Sequence, residues 1–378
     1  MRIAILGTRG IPANYSGFET SVEETAWRLA ERGHEVTVYC RAGQVNPSNG
    51  EYRGVRLVTL PSLQSKHLDT TTHTTLSVLH LLTHRPYPDV VQMYGVGNSL
   101  WLLPLQLARC PLVAIVDGLD WKREKWGRLA SAFLRLSERF ATWWADDYVV
   151  DSKAVIAYYR QRYRKEPVYI PYGATIPEAT QSDGLVRQFG LEPRKYVLFV
   201  GRLVPEKGVH HLIHAFESLE TDMTLAIVGD SLYDRRYVNS LKATSDARIR
   251  FLGFAYGEAY RQLNSHAYVY VQPSELEGTS PALLGAMGFG NCVLVSDIPE
   301  NRETIGDAGI TFRRGDETEL AHCLQRLIDE PALVRRFRKL AKEHVARHYD
   351  WEKITDDHER LFYRVLEQPV PPRLRSSE

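Results

Sequence analysis

The chain has 378 residues, 44% of them hydrophobic and 25% charged, with a formal net charge of +1. That length exceeds one ordinary core and predicts two domains, while the near-zero charge gives no reason to expect nucleic acid as a bulk electrostatic partner. Cys40, Cys110, Cys292 and Cys323 lie far apart without a C-x-x-C pair, which predicts reduced thiols rather than disulfides or a zinc site.

Short apolar runs alternate with longer segments of helical period, the pattern of parallel sheets wrapped by helices. In the first half the strands are predicted at Arg2–Leu6, Glu35–Tyr39, Arg56–Leu60, Val90–Gln92, Leu112–Val116 and Tyr148–Val150. Between the first two, Val22, Ala26, Leu29 and Ala30 form one helix stripe that Gly33 ends. Leu100–Ala108, the most apolar stretch, is interrupted by Pro104 and is too short to cross a bilayer. No secretory pattern opens the chain, so the expectation is a cytoplasmic protein, peripheral to a membrane at most. Residues 121–165 hold 11 Lys and Arg against 5 Asp and Glu, with Trp121, Trp126, Trp143 and Trp144 interleaved. This segment is either a solvated face or a contact with anionic lipid or a phosphorylated acceptor.

The boundary falls in Arg164–Pro177, where Pro167, Pro171, Gly173 and Pro177 punctuate the chain. The expected domains are residues 1–168, joined by a returning helix over 351–367, and residues 173–350. A tail over 368–378 is expected to be disordered. The second domain restarts the pattern with strands at Tyr196–Val200, Thr224–Val228, Arg248–Leu252, Tyr268–Val271 and Cys292–Val295. Leu212, Ile213, Phe216 and Leu219 give its first helix an inward face. In such doubly wound sheets, ligands sit beyond the carboxyl ends of the strands.

Three loops at those ends carry chemistry. Gly201-Arg202-Leu203-Val204-Pro205-Glu206-Lys207-Gly208 follows a strand and precedes a helix; Arg202 and Lys207 are either surface cations or, since the helix dipole disfavours cations there, expected to hold an anionic ligand. Gly201 would let that ligand approach the backbone. Pro273–Leu284 follows another strand, with a helix expected to begin near Ser280 and Pro281 at its first position. Such a helix start suits a diphosphate, and Glu277 ahead of it could accept bonds from sugar hydroxyls. The first βα loop, Gly7 to Glu19, is long for its place but lacks the G-x-G-x-x-G dinucleotide fingerprint. Asp117-Gly118-Leu119-Asp120-Trp121, after the strand Leu112–Val116, suits a sugar or acceptor or simply caps a helix. No D-x-D motif is present, and alternate residues of Glu275-Leu276-Glu277 point apart, so no catalytic metal is expected.

Together these motifs resemble the family-4 retaining glycosyltransferases over nearly the whole chain. The resemblance implies the GT-B fold, two facing Rossmann-like domains with a cleft between them. Within the family, Gly7-Thr8-Arg9-Gly10-Ile11-Pro12, Gly17-Phe18-Glu19-Thr20 and Gly278-Thr279-Ser280-Pro281 look like the rhamnosyltransferase-type branch of bacterial polysaccharide assembly. It implies Arg202, Lys207 and Glu277 as catalytic residues. Gly17, Gly201, Gly278, Thr279, Ser280 and Phe254 would bind the donor, and Asp117 and Gly118 would face the acceptor. The donor is a nucleotide-diphosphate sugar, used as substrate, with no cofactor; the acceptor is a glycan or polyprenyl-linked glycan. One position departs from the family pattern. In E-x7-E the second glutamate binds the nucleotide ribose, but Gly285 stands there, inside a predicted helix where glycine costs about 1 kcal/mol against alanine. That departure opens two alternatives, a nucleotide-sugar-binding protein with weak catalysis and an epimerase on the same fold.

Overall fold

The computed structural model describes the chain except residues 14–16, 44–49, 64–67, 117–118, 120, 122–126, 179, 232–233 and 375–378. It divides into two compact units, Met1–Tyr172 with Trp351–Glu378, and Gly173–Asp350.

The first unit carries an eight-stranded sheet in the order β3-β4-β2-β1-β5-β6-β7-β8. Its strands are β1 (Arg2–Leu6), β2 (Glu35–Arg41), β3 (Glu51–Tyr52), β4 (Val55–Leu60), β5 (Val90–Tyr94), β6 (Leu112–Val116), β7 (Asp147–Val150) and β8 (Val168–Tyr169). All pairings are parallel except the short β3–β4 ribbon at the edge. The central strands read as continuous apolar runs because helices cover both faces: β5 and β6 are buried at every position. The second unit has six parallel strands in the order β11-β10-β9-β12-β13-β14. These are β9 (Tyr196–Val200), β10 (Thr224–Val228), β11 (Ile249–Gly253), β12 (Val269–Gln272), β13 (Cys292–Ser296) and β14 (Ile310–Phe312).

The strands that sequence reasoning passed over are β3, β8 and β14, of two or three residues each. Such lengths carry no periodicity, and only the register of a longer neighbour turns them into strands. In both sheets the first strand of the unit lies inside, and later strands are laid down on either side of it. The winding therefore reverses between β1 and β5 and again between β9 and β12, opening a crevice at the carboxyl ends of those pairs.

The last helix, Trp351–Val365, returns to the first unit and is keyed to the helix Gly17–Glu31 by charge as well as apolar contact. Glu359 is fully buried and accepts from His34 Nε2 at 2.7 Å and Arg32 Nη1 at 3.0 Å. Arg32 also meets Glu352 and Asp356, each at 2.8 Å. The expected disordered tail from Gln368 does not hold for its first half. Arg373 Nη1 donates to Glu359 Oε2 at 3.0 Å, Arg360 Nη1 donates to the Leu374 carbonyl at 3.0 Å, and Leu374 is buried. A fully buried carboxylate draws the arginine, and with it the backbone, that composition alone assigned to solvent.

Burial works against the charged Glu359 carboxylate, yet the hydrogen bonds from His34, Arg373 and Arg32 outweigh it and hold its pKa at about 2. A depressed carboxylate contributes stability above its unfolded value and loses it as pH falls toward the folded one. Thermal unfolding midpoints are therefore expected to drop between about pH 4.5 and pH 2. Glu359→Gln should cost roughly 3 kcal/mol at neutral pH and flatten that acid limb, as read by circular dichroism melts.

Candidate functional site

The crevice between β9 and β12 gathers the two loops singled out in the second unit. After β9 the chain runs through Gly201 and Arg202 into a short 3-10 turn, Pro205–Lys207, and then into the helix Val209–Glu217. Gly208 joins turn to helix in the left-handed region, with φ of 65°. A Cβ at that position would lie 2.1 Å from the Pro273 carbonyl oxygen, so the close approach of the loop after β12 demands glycine. The Glu275 amide donates to the Glu206 carbonyl at 2.9 Å, tying the two loops together.

That approach brings Lys207 onto Glu277, whose Oε1 also accepts from Ser274 Oγ at 2.6 Å. The pair is largely shielded, with side-chain exposures of 17% and 8%. Arg202 is exposed on the same loop. Ser280 caps the helix Pro281–Gly288, its Oγ accepting from the Leu283 amide at 3.4 Å with Pro281 in the first turn. Gly278 and Thr279 are buried just before the cap. Lys207, Glu277, Ser280, Gly278 and Thr279 are thus held on two stitched loops of one crevice.

A buried polar network beneath the loops escaped sequence reasoning. Ser280 Oγ donates to Gln272 Oε1 at 3.0 Å, and Gln272 Nε2 donates to Asn301 Oδ1 at 2.9 Å. Asn301 Nδ2 reaches Ser296 Oγ at 2.9 Å, and Ser296 Oγ donates to the Ser274 carbonyl. The helix cap and the carboxylate loop therefore share one scaffold, which fixes rotamers that solvent would leave free. Its one sequence signal was a glutamine and a serine closing apolar strands, β12 and β13.

Glu275 and Glu277 turn to different partners. Glu275 Oε1 meets His211 Nε2 at 2.9 Å, and His211 Nδ1 meets Glu317 Oε1 at 2.8 Å. Burial disfavours a charged His211, but the bonds to Glu317 and Glu275 prevail and raise its pKa above the ordinary value. Among the described residues His210, His211 and Glu275 are the group whose donor atoms, within 4.8 Å of one another, could hold a metal ion. Phe254 is exposed after β11 and stacks on Tyr256, with ring centroids 6.0 Å apart and an interplanar angle of 17°.

The structure explains Gly285. A Cβ there would lie 2.5 Å from the Tyr260 hydroxyl oxygen and 3.7 Å from its ring carbon Cζ. The phenol, on the helix Gly257–His266, fills the space of a side chain at residue 285. Burial pushes the Tyr260 pKa up to about 12, so the hydroxyl is protonated and able to donate.

In the first unit, Gly17 opens the helix Gly17–Glu31, and Glu19 Oε1 accepts from the Arg9 amide at 3.0 Å, folding the first loop back on its own helix. Asp117, Gly118 and Asp120 lie outside the described residues. Among the described residues no helix is long and apolar enough to cross a membrane.

Comparison with known proteins agrees with this architecture. Residues 16–173 match the family described as the glycosyl transferase 4-like domain, and residues 185–344 match glycosyl transferases group 1. O-antigen chain mannosyltransferase B of Escherichia coli is 29% identical over 179 residues, 45% of this chain and 46% of that protein. The chain thus spans about half the length of that curated relative. Sucrose-phosphate synthase from Thermosynechococcus elongatus superimposes with a TM-score of 0.83 at 21% identity, covering 97% of this chain and 99% of that one. Anabaena Alr3699/HepE, in complex with UDP and glucose, gives 0.79 at 20% identity over 96% and 100%. With a group 1 match on one unit and a 4-like match on the other, the chain belongs to the family-4 glycosyltransferases and has their GT-B fold.

Proposed function

We propose that this protein transfers a sugar, with retention, from a nucleoside-diphosphate donor to a glycan or lipid-linked glycan during surface polysaccharide assembly. One observation carries the reading: Lys207 and Glu277 meet where two loops converge at a topological switch point, beside a serine-capped helix start. The second unit is the donor side and the first the acceptor side. The UDP and glucose held by HepE support a nucleotide-sugar donor, and the O-antigen relative supports a surface glycan. The branch resemblance favours rhamnose as the sugar.

On donor binding Lys207 exchanges the Glu277 carboxylate for the diphosphate, and Arg202 closes on the same oxygens with its planar fork. The bond from the anomeric carbon to the diphosphate breaks, and charge grows on an oxygen that both cations and the helix start near Ser280 stabilise. An acceptor hydroxyl attacks from the same face, and its proton passes to the departing diphosphate oxygen. Glu277, freed from Lys207 but still held by Ser274, fixes the donor sugar and favours positive charge near its ring. No metal enters this scheme.

The ribose contact that the family gives to the second glutamate falls here to Tyr260. Its hydroxyl occupies the place of a residue-285 side chain, on the helix that follows the stacked Phe254 and Tyr256. Gly285 is then an accommodation of that phenol, and weak catalysis no longer follows from the missing carboxylate.

Arg202→Ala and Lys207→Ala should each lower kcat by about 100-fold or more while circular dichroism stays unchanged. The assay is mass spectrometry with rhamnose, mannose and glucose donors and a lipid-linked acceptor; unaltered transfer in either variant removes the clamp. A donor converted without acceptor would point to epimerisation instead. Tyr260→Phe should raise the donor KM roughly fivefold with little change in kcat, the loss of one hydrogen bond. Gly285→Glu, crowded in the parent, should recover donor affinity when combined with Tyr260→Phe, because the collision is with the hydroxyl and not the ring.

A further inference from the structure

The helix Arg128–Trp144 of the first unit is built backwards for a protein surrounded by water. Its inward face carries Ser137, Glu138 and Thr142 beside Leu134 and Ala141. Its outward face carries Leu129, Phe133, Leu136 and Trp143, exposed at 89%, 46%, 46% and 52%. These four stand at i, i+4, i+7 and i+14, one stripe running about 20 Å along the helix axis. The inversion is stable because the buried Glu138 has partners: its Oε2 accepts from the Tyr158 and Tyr163 hydroxyls, each at 3.0 Å. Burying a carboxylate while exposing four large apolar side chains is costly in water, and the cost points to a second surface that covers the stripe.

The surroundings identify that surface by charge. Arg128, Arg135 and Arg139 are the exposed charged groups of the helix, whose one acidic residue, Glu138, is buried. Beside the stripe, a groove of about 710 Å³ is lined by Arg135, Arg139 and Arg162 together with Trp121, Tyr158 and Tyr163. Arg135 lies over the Trp121 ring at 4.1 Å and Arg139 over the Trp143 ring at 4.7 Å, so the guanidinium groups are held at the border of the apolar face. Three arginines converging on one groove select a phosphate-bearing ligand, and the adjoining stripe selects an apolar layer beneath it. A second copy fits poorly, because a twofold pairing of this face would set its arginines against their own copies.

We propose that the outer face of the helix Arg128–Trp144 lies in the head-group layer of an anionic phospholipid bilayer, with the Arg135–Arg139–Arg162 groove taking a lipid phosphate. The helix then lies along the surface and does not span it. Such docking would hold the acceptor side of the enzyme against the layer in which a lipid-linked glycan is anchored. The contact does not depend on the proposed transfer reaction, since none of its residues belongs to the diphosphate site.

Co-sedimentation of the full chain with donor-free vesicles tests it, comparing phosphatidylcholine alone with phosphatidylcholine containing about 30 mol% phosphatidylglycerol. Binding is expected to rise about 100-fold with the anionic lipid and to weaken with added salt. The triple variant Leu129→Ser, Phe133→Ser, Leu136→Ser should lose sedimentation while gaining solubility. Arg135→Ala with Arg139→Ala should lower binding to the anionic vesicles about 25-fold, with unchanged circular dichroism and nucleoside-diphosphate affinity. Equal binding to both vesicles, or full binding by either variant, overturns the proposal. So does a dimer in light scattering that the triple variant abolishes, which would make the face a contact between copies.

Discussion

The approach of the loop after β9 to the loop after β12 is the constraint on which the second unit's candidate site depends. Because β9 and β12 are adjacent in the sheet yet distant in the chain, their trailing loops leave the same edge with nothing between them. Gly208 lets the backbones meet, the Glu275 amide ties them, and Lys207 and Glu277 close the contact. A shielded ion pair of this kind adds little to stability, because desolvation consumes most of the attraction. Its value lies in keeping a cation and a carboxylate fixed at the sheet edge without a ligand. Under the proposed function an incoming diphosphate would meet groups already placed, with the ordering cost spent in folding.

The polar network under those loops extends the same logic. Gln272, Asn301, Ser296 and Ser274 are buried and satisfy one another, so the Ser280 cap and the Glu277 loop move as one piece. Partial loss of such a network costs more than its absence, since each orphaned group is left in a low dielectric. The helix bearing Gly285 is held from the other side by Tyr260, whose ring packs edge-on against Phe289. With glycine on one helix and tyrosine on the preceding one, the phenol fills the volume that a side chain at residue 285 would need.

The first unit uses charge differently. At the last helix one acidic group is drawn inward, and the buried Glu359 organises His34, Arg32 and Arg373 around itself. At the helix Arg128–Trp144, arginines are left outside with the apolar stripe, and the one acid is folded in under tyrosines. One arrangement seals a unit whose sequence is split in two; the other leaves an apolar stripe exposed.

How much of this was legible in the residues varies with the range of the interaction. Strands β1, β6, β9 and β10 stand where their apolar runs place them, because a strand buried on both faces needs only hydrophobicity over a few residues. The helix start at Ser280 and Pro281 was equally local, since a cap and a proline act within one turn. Sequence alone thus determined two α/β repeats, the loops at their strand ends, and the ionic character of Arg202, Lys207 and Glu277. The pairing of Lys207 with Glu277, the Gln272–Asn301 network, the docking of Arg373 and the filling of Gly285 by Tyr260 were decided by tertiary structure. Each joins residues from different elements, and no periodicity or spacing encodes which side chains a sheet's strand order will bring together.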